Sequence, residues 1–137
     1  MPFYVDTSAF VKLVVTEDFS AAMRRWAEEN EDALFSSDLM VAEALRAGRR
    51  HSTEALAQVR QRLATITVVS LTSELCERSA TLDPAILCTL DALHLAAALA
   101  ASSELDGIVT YDARLGEAAR LHGVLVVAPG SARVRHR

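Results

Sequence analysis

Only two cysteines, Cys76 and Cys88, occur in the 137 residues. They are too few and too far apart for a zinc cluster or a redox CxxC pair, and they read as small core residues in a reducing cytosol. Lysine is scarcer still, with Lys12 alone beside thirteen arginines. Three prolines, at positions 2, 84 and 129, and five scattered glycines leave neither an internal linker nor a glycine-rich phosphate loop. The longest apolar run, Ala92 to Ala101, is interrupted by His94 and falls short of the about 20 residues that a membrane-spanning helix needs. The N-terminal MPFYVDTSAF has no basic start and carries an acid at position 6, so it does not read as a signal peptide. A soluble, cytoplasmic protein is expected.

What is present is a chain 51% hydrophobic and 23% charged, of a length that suits one domain. Such a domain buries about two thirds of its unfolded surface and needs no staple to hold a core. The net charge of −4 is opposite in sign to a protein that holds polyanions by bulk electrostatics, so a polyanionic partner must meet a local basic patch.

Short apolar runs at Phe3 to Val5, Ala33 to Phe35, Thr67 to Leu71, Gly107 to Thr110 and Val124 to Val127 read as buried strands. Helical periodicity fills the intervals: Phe19 to Glu29, a helix capped by Ser37 or Asp38 and running to about Arg49, Thr53 to Leu63, Ser73 to Leu82, Thr89 to Ala101, and Ala113 to Leu121 with Gly123 as its stop. Alternating strands and helices predict an α/β fold, with a parallel sheet of about five short strands covered on both faces. Residues 1–130 form the expected domain. Residues 131–137, with Arg133, Arg135, His136 and Arg137, read as a basic mobile tail.

Asp6 directly follows the first strand run and Asp112 follows the fourth, after Tyr111, both at the sheet edge where open α/β folds bind ligands. Either acid alone is also an ordinary helix N-cap. Glu43 lies inside a helix, with Leu39, Met40, Ala44 and Ala47 at helical spacing, and a carboxylate on so apolar a face needs a partner. Pairing with Arg46 or Arg50 in solvent is the alternative. Asp91 opens the most apolar helix, where the dipole favours an acid in any case, and His94 one turn on reads as a satisfied core or rim residue. In a parallel sheet the four acids converge, with no basic residue placed by the pattern to neutralise them. All-oxygen clusters of that kind suit Mg²⁺ or Mn²⁺ rather than zinc, and such sites usually act on phosphates.

These segments carry a resemblance. Phe3-Tyr4-Val5-Asp6-Thr7-Ser8-Ala9, the helical Glu43, Leu90-Asp91-Ala92-Leu93-His94-Leu95-Ala96 and Val109-Thr110-Tyr111-Asp112-Ala113-Arg114-Leu115 resemble the PIN-domain ribonucleases. Ala118-Ala119 and Gly123-Val124 extend the likeness, which runs from about Phe3 to Val127. The compact length is similar to that of the VapC toxins of bacterial and archaeal type II toxin-antitoxin modules. The resemblance implies a PIN fold, Mg²⁺-dependent endoribonuclease activity on RNA, a homodimer, and a small antitoxin that blocks the site. It makes Asp6, Glu43, Asp91 and Asp112 the metal-binding acids, with Ser8 and Thr110 as hydroxyls beside them. Where family members often carry an arginine three residues before the third acid, this chain has Cys88.

Arg46, Arg49, Arg50 and His51 form the densest basic cluster outside the tail and are candidates to draw RNA in; the other reading is a solvated face. Few aromatics argue against extensive base stacking. A receiver-like phosphoacceptor expects paired early acids and a late lysine, whereas Thr7 and Ser8 follow Asp6 and the one lysine is Lys12. An inactive PIN-like interaction module is the non-enzymatic alternative, and intact acids at all four positions weigh against it.

Overall fold

The computed structural model of the chain describes residues 2–131; Met1 and residues 132–137, and with them nearly all of the expected mobile tail, lie outside the described residues. Five strands, β1 (Phe3–Val5), β2 (Leu34–Ser37), β3 (Thr67–Val69), β4 (Gly107–Val109) and β5 (Val126–Val127), form one sheet in the order β3-β2-β1-β4-β5. Every pairing is parallel. The helices are α1 (Thr7–Val11), α2 (Ser20–Glu29), α3 (Asp38–His51), α4 (Thr53–Leu63), α5 (Ser73–Ser79), α6 (Thr89–Leu99) and α7 (Ala113–Leu121).

Successive residues of a strand face opposite sides of the sheet. Tyr4 and Ile108 accordingly join a core with Leu75, Leu95, Leu115 and Ala118 of α5 to α7. Their neighbours Val5 and Val109 join the opposite core with Phe10, Met23, Met40 and Val59 of α1 to α4. Both faces are therefore covered by helices, as the alternation predicts.

The strand order places the site. From β1 the chain builds outward through β2 to β3, then crosses back to the other side of β1 with β4 and continues to β5. The carboxyl ends of β1 and β4 flank the point where that direction reverses, which is where ligands enter open α/β sheets. The Asp6 amide donates to the Val109 carbonyl at 3.1 Å and ties the two strand ends together.

Local chemistry sets the helix ends. Ser37, Ser52 and Thr72 cap α3, α4 and α5 through their hydroxyls, each accepting a backbone N–H three residues on. At the end of α7 the Gly123 amide reaches the Arg120 carbonyl and the Val124 amide reaches Ala119, both at 2.9 Å. Gly123 takes φ +76°, the left-handed turn that such a paired stop requires.

Some expectations are corrected. Cys76 and Cys88 are exposed rather than in the core. Leu75 is the buried residue of α5, and the helical step turns Cys76 away from it. The helix α1 was not expected, because five residues are too few to show a period. The helices α5 and α6 stop at Ser79 and Leu99, short of Leu82 and Ala101, and β5 begins at Val126 rather than Val124. Among the described residues no helix is long and apolar enough to cross a membrane.

Candidate active site

Asp6, Glu43, Asp91 and Asp112 line one open cavity of about 550 Å³, together with Thr7, Ser8, Arg46, Arg50, Cys88, His94 and Arg114. Four separate stretches of chain thus converge there. Asp6 comes from the end of β1, Glu43 from the second turn of α3, Asp91 from the first turn of α6 and Asp112 from the loop after β4.

Asp6 is almost fully buried, with 3% of its surface exposed. It caps α1 by accepting the Ala9 amide at 2.9 Å on Oδ1. Ser8 donates to both of its oxygens, at 2.8 and 3.1 Å, and Thr110 donates to Oδ2 at 2.5 Å. Both hydroxyls must donate there, because an ionised carboxylate can only accept, and each hydroxyl oxygen in turn accepts a backbone N–H: Tyr111 to Ser8 and Asp112 to Thr110, both at 3.0 Å. Ser8 and Thr110 therefore stitch the two strand ends to one carboxylate. Burial pushes the Asp6 carboxyl above its ordinary pKa, and the donors from Thr110, Ala9 and Ser8 oppose that rise without cancelling it.

Glu43 has another set of partners. Its Oε1 accepts from the Thr7 hydroxyl and lies 2.8 Å from His94 Nε2. Burial raises its pKa, but the hydrogen bonds from His94 and Thr7 outweigh that, and the carboxyl ends below its ordinary value. The expected alternative, pairing with Arg46 or Arg50, does not occur among the described residues. His94 is a satisfied buried residue as expected, yet it also touches the acidic cavity.

Asp91 accepts no hydrogen bond from protein among the described residues, and Cys88 at the N-cap of α6 makes no side-chain cap bond. Its carboxyl is raised first by burial and then by the negative charge of Asp112; His94 and then Arg114 offset part of this. Asp112 caps α7, accepting from the amides of Arg114 at 2.9 Å and Leu115 at 3.2 Å. Asp6 and Asp112 thus combine the two readings their positions left open, as helix caps that also line the cavity.

Arginines stand closer than the sequence pattern implied. Arg114, Arg46 and Arg50 line the acidic cavity, and Arg46, Arg49 and Arg50 line a smaller one of about 320 Å³ beside it. Lys12 lies apart, as expected, bound to Glu17 at 3.0 Å. One aromatic is more exposed than expected: Phe19, 44% exposed, stacks on Tyr111 with ring centroids 5.7 Å apart. Thr7 and His94 escaped the list of candidate site residues. The three-residue step from Asp91 to His94, which puts both on one helix face, is the signal that could have found the histidine.

The donor set suits a hard divalent cation: carboxylate oxygens around one cavity, with the Asp91 carboxyl raised by burial and then by the charge of Asp112. Among the described residues no group of three or more His, Cys, Asp or Glu side chains is placed to hold a metal ion. Mg²⁺ does not demand such a group, since it keeps several of its waters and is commonly held by one or two carboxylates.

Residues 3–121 match the PIN domain family. Ribonuclease VapC47 of Mycobacterium tuberculosis is 36% identical over 138 residues, covering 95% of this chain and 98% of that protein. Ribonuclease VapC35 of the same organism is 38% identical over 133 residues, with 95% and 98% covered. Among solved structures, a toxin-antitoxin complex from Klebsiella pneumoniae contains a chain that superposes with a TM-score of 0.72 at 20% identity, covering 94% of this chain and 98% of that one.

Proposed function

Because the chain belongs to the PIN-domain family, as a VapC-type ribonuclease toxin of a toxin-antitoxin module, we propose that it is a Mg²⁺-dependent endoribonuclease whose site is Asp6, Glu43, Asp91 and Asp112. The observation that carries this reading is the meeting of four carboxylates at one cavity on the sheet's switch point.

Asp6, Asp91 and Asp112 would hold the ion, with Mn²⁺ as a substitute, and Glu43 would ligate it or orient the attacking water. When bound, Mg²⁺ lowers the pKa of the attacking water and stabilises charge on the leaving oxygen. The chain's own work is to present the acids. Ser8, Thr110 and the Ala9 amide hold Asp6 in one orientation. Glu43, kept ionised by Thr7 and His94, is suited to orient an attacking water by accepting its hydrogen bond. Arg46, Arg49 and Arg50 bind RNA phosphates beside a cavity that repels them.

Regulation follows from the same charges. A cognate antitoxin would block the site by placing a basic side chain among the acids, and the toxin would act as a homodimer in the cytoplasm. The test is cleavage of a mixed-sequence RNA by purified protein. Mg²⁺ or Mn²⁺ should support cleavage, chelator should stop it, and Asp6→Asn or Asp91→Asn should remove it. Full activity in chelator, or in both variants, overturns the reading.

A further inference from the structure

A chain of buried polar groups runs from the core to Glu43. The Ser37 hydroxyl lies 2.8 Å from the Tyr4 hydroxyl, which lies 2.7 Å from His94 Nδ1; His94 Nε2 then lies 2.8 Å from Glu43 Oε1. Tyr4 and Ser37 have no exposed surface, and His94 has 4%. The residues come from β1, β2, α6 and α3, so the chain links elements on both sides of the central strand.

We propose that His94, itself oriented by Tyr4 and Ser37, is a positioning residue that holds Glu43 by one oxygen and leaves the other for the reaction. This rests on the reading of Glu43 given above. A carboxylate only accepts, so His94 Nε2 carries a hydrogen. With the ring neutral, Nδ1 then accepts from the Tyr4 hydroxyl, and the Tyr4 oxygen accepts from Ser37. Ser37 Oγ accepts in turn from the Met40 amide at 3.5 Å, so the chain has one direction from end to end. Burial pushes the Tyr4 phenol far above its ordinary pKa, which keeps it a donor.

The geometry at Glu43 gives the chain its purpose. Thr7 and His94 both use Oε1, and among the described residues Oε2 has no protein donor. Glu43 lines the acidic cavity, so the carboxylate is anchored on one side and available on the other. Packing alone would be served as well by a phenylalanine at position 4, because the ring of Tyr4 already meets Phe35 edge-on at 5.4 Å. The Glu43 carboxylate sets the hydrogen on Nε2, and the Tyr4 hydroxyl fixes the ring by donating to the Nδ1 left without one.

The experiment has two arms on the full-length protein. Nitrogen-15 NMR of the metal-free protein should find His94 as the Nε2–H tautomer, and Tyr4→Phe should move the Nδ1 resonance to that of a nitrogen without a hydrogen bond while the rest of the spectrum stays folded. In RNA cleavage, Tyr4→Phe and His94→Ala should lower kcat by about 10 to 100-fold while KM changes by less than about twofold. His94→Gln, whose amide reaches the place of Nε2, should recover most of the loss. If His94→Ala does not fold, Tyr4→Phe and His94→Gln still decide. An Nδ1–H tautomer in the wild type overturns the proposal, as does unchanged kcat in Tyr4→Phe or equal losses in His94→Gln and His94→Ala. A wild type that folds with the expected tautomer but cuts no RNA overturns the nuclease reading and leaves the hydrogen-bond chain standing.

Discussion

On the β1 side of the cavity Asp6 accepts from two hydroxyls and an amide, and Glu43 from a hydroxyl and an imidazole. On the α6 side Asp91 accepts nothing from protein among the described residues, and Asp112 spends its Oδ1 on its own helix. One half of the site is thus built by folding, and the other is left under like-charge strain. The difference shows in the titration of two partly exposed acids. Glu43 falls below its ordinary 4.5, whereas Asp91 rises above its ordinary 3.8. A site that needs a cation benefits from this division, because the strained half gains most when the ion arrives.

The largest effect should come from breaking the built half. Asp6→Asn keeps a cap for α1 but loses the charge, and RNA cleavage in Mg²⁺ should fall to background in a gel assay. Asp6→Ala should show the same loss and also melt earlier, since the missing cap costs about 0.5 to 2 kcal/mol and two hydroxyls lose their acceptor.

Glu43 and Asp91 should next respond to pH with opposite signs. The stability that Glu43 contributes is present above its ordinary pKa and is lost as pH falls through its lower folded-state value. Asp91 favours the fold only below its ordinary pKa, and loses that contribution as pH rises through its higher folded-state value. In metal-free melts at neutral pH, Glu43→Gln should therefore unfold earlier than wild type, and Asp91→Asn no earlier. Acidification should close both gaps. A gap of the same sign in the two variants would erase the comparison.

The smallest effect concerns the rim. Arg46→Ala, Arg49→Ala and Arg50→Ala should each weaken RNA binding and lower the salt dependence of log K by about 0.7. Their kcat at saturating RNA should stay unchanged, which would separate holding the strand from cutting it.

Most of this architecture was legible in the chain because it depends on local rules. The β1 and β4 runs end at the residues that precede Asp6 and Thr110, and Asp6 and Asp112 then cap helices. Parallel pairing brought those ends together without any knowledge of contacts. What escaped depends on long-range meeting or on helix phase. Glu43 and His94 are 51 positions apart, and nothing in either neighbourhood says that α3 and α6 deliver them to one another. Arg114 enters the cavity from the first turn of α7, where its spacing suggests only solvent. The exposed cysteines were misread because residue type does not report which face of α5, or which loop before α6, a side chain occupies.

The central claim is that the four acids are one cation site rather than separate caps and surface charges. A thermal melt of wild type and Asp91→Asn, each with and without millimolar Mg²⁺, tests it most directly. The account predicts that metal-free Asp91→Asn melts at or above wild type, and that Mg²⁺ raises the melting temperature of wild type much more than that of the variant. A lower metal-free melting temperature for Asp91→Asn, with equal Mg²⁺ shifts in the two proteins, would contradict it.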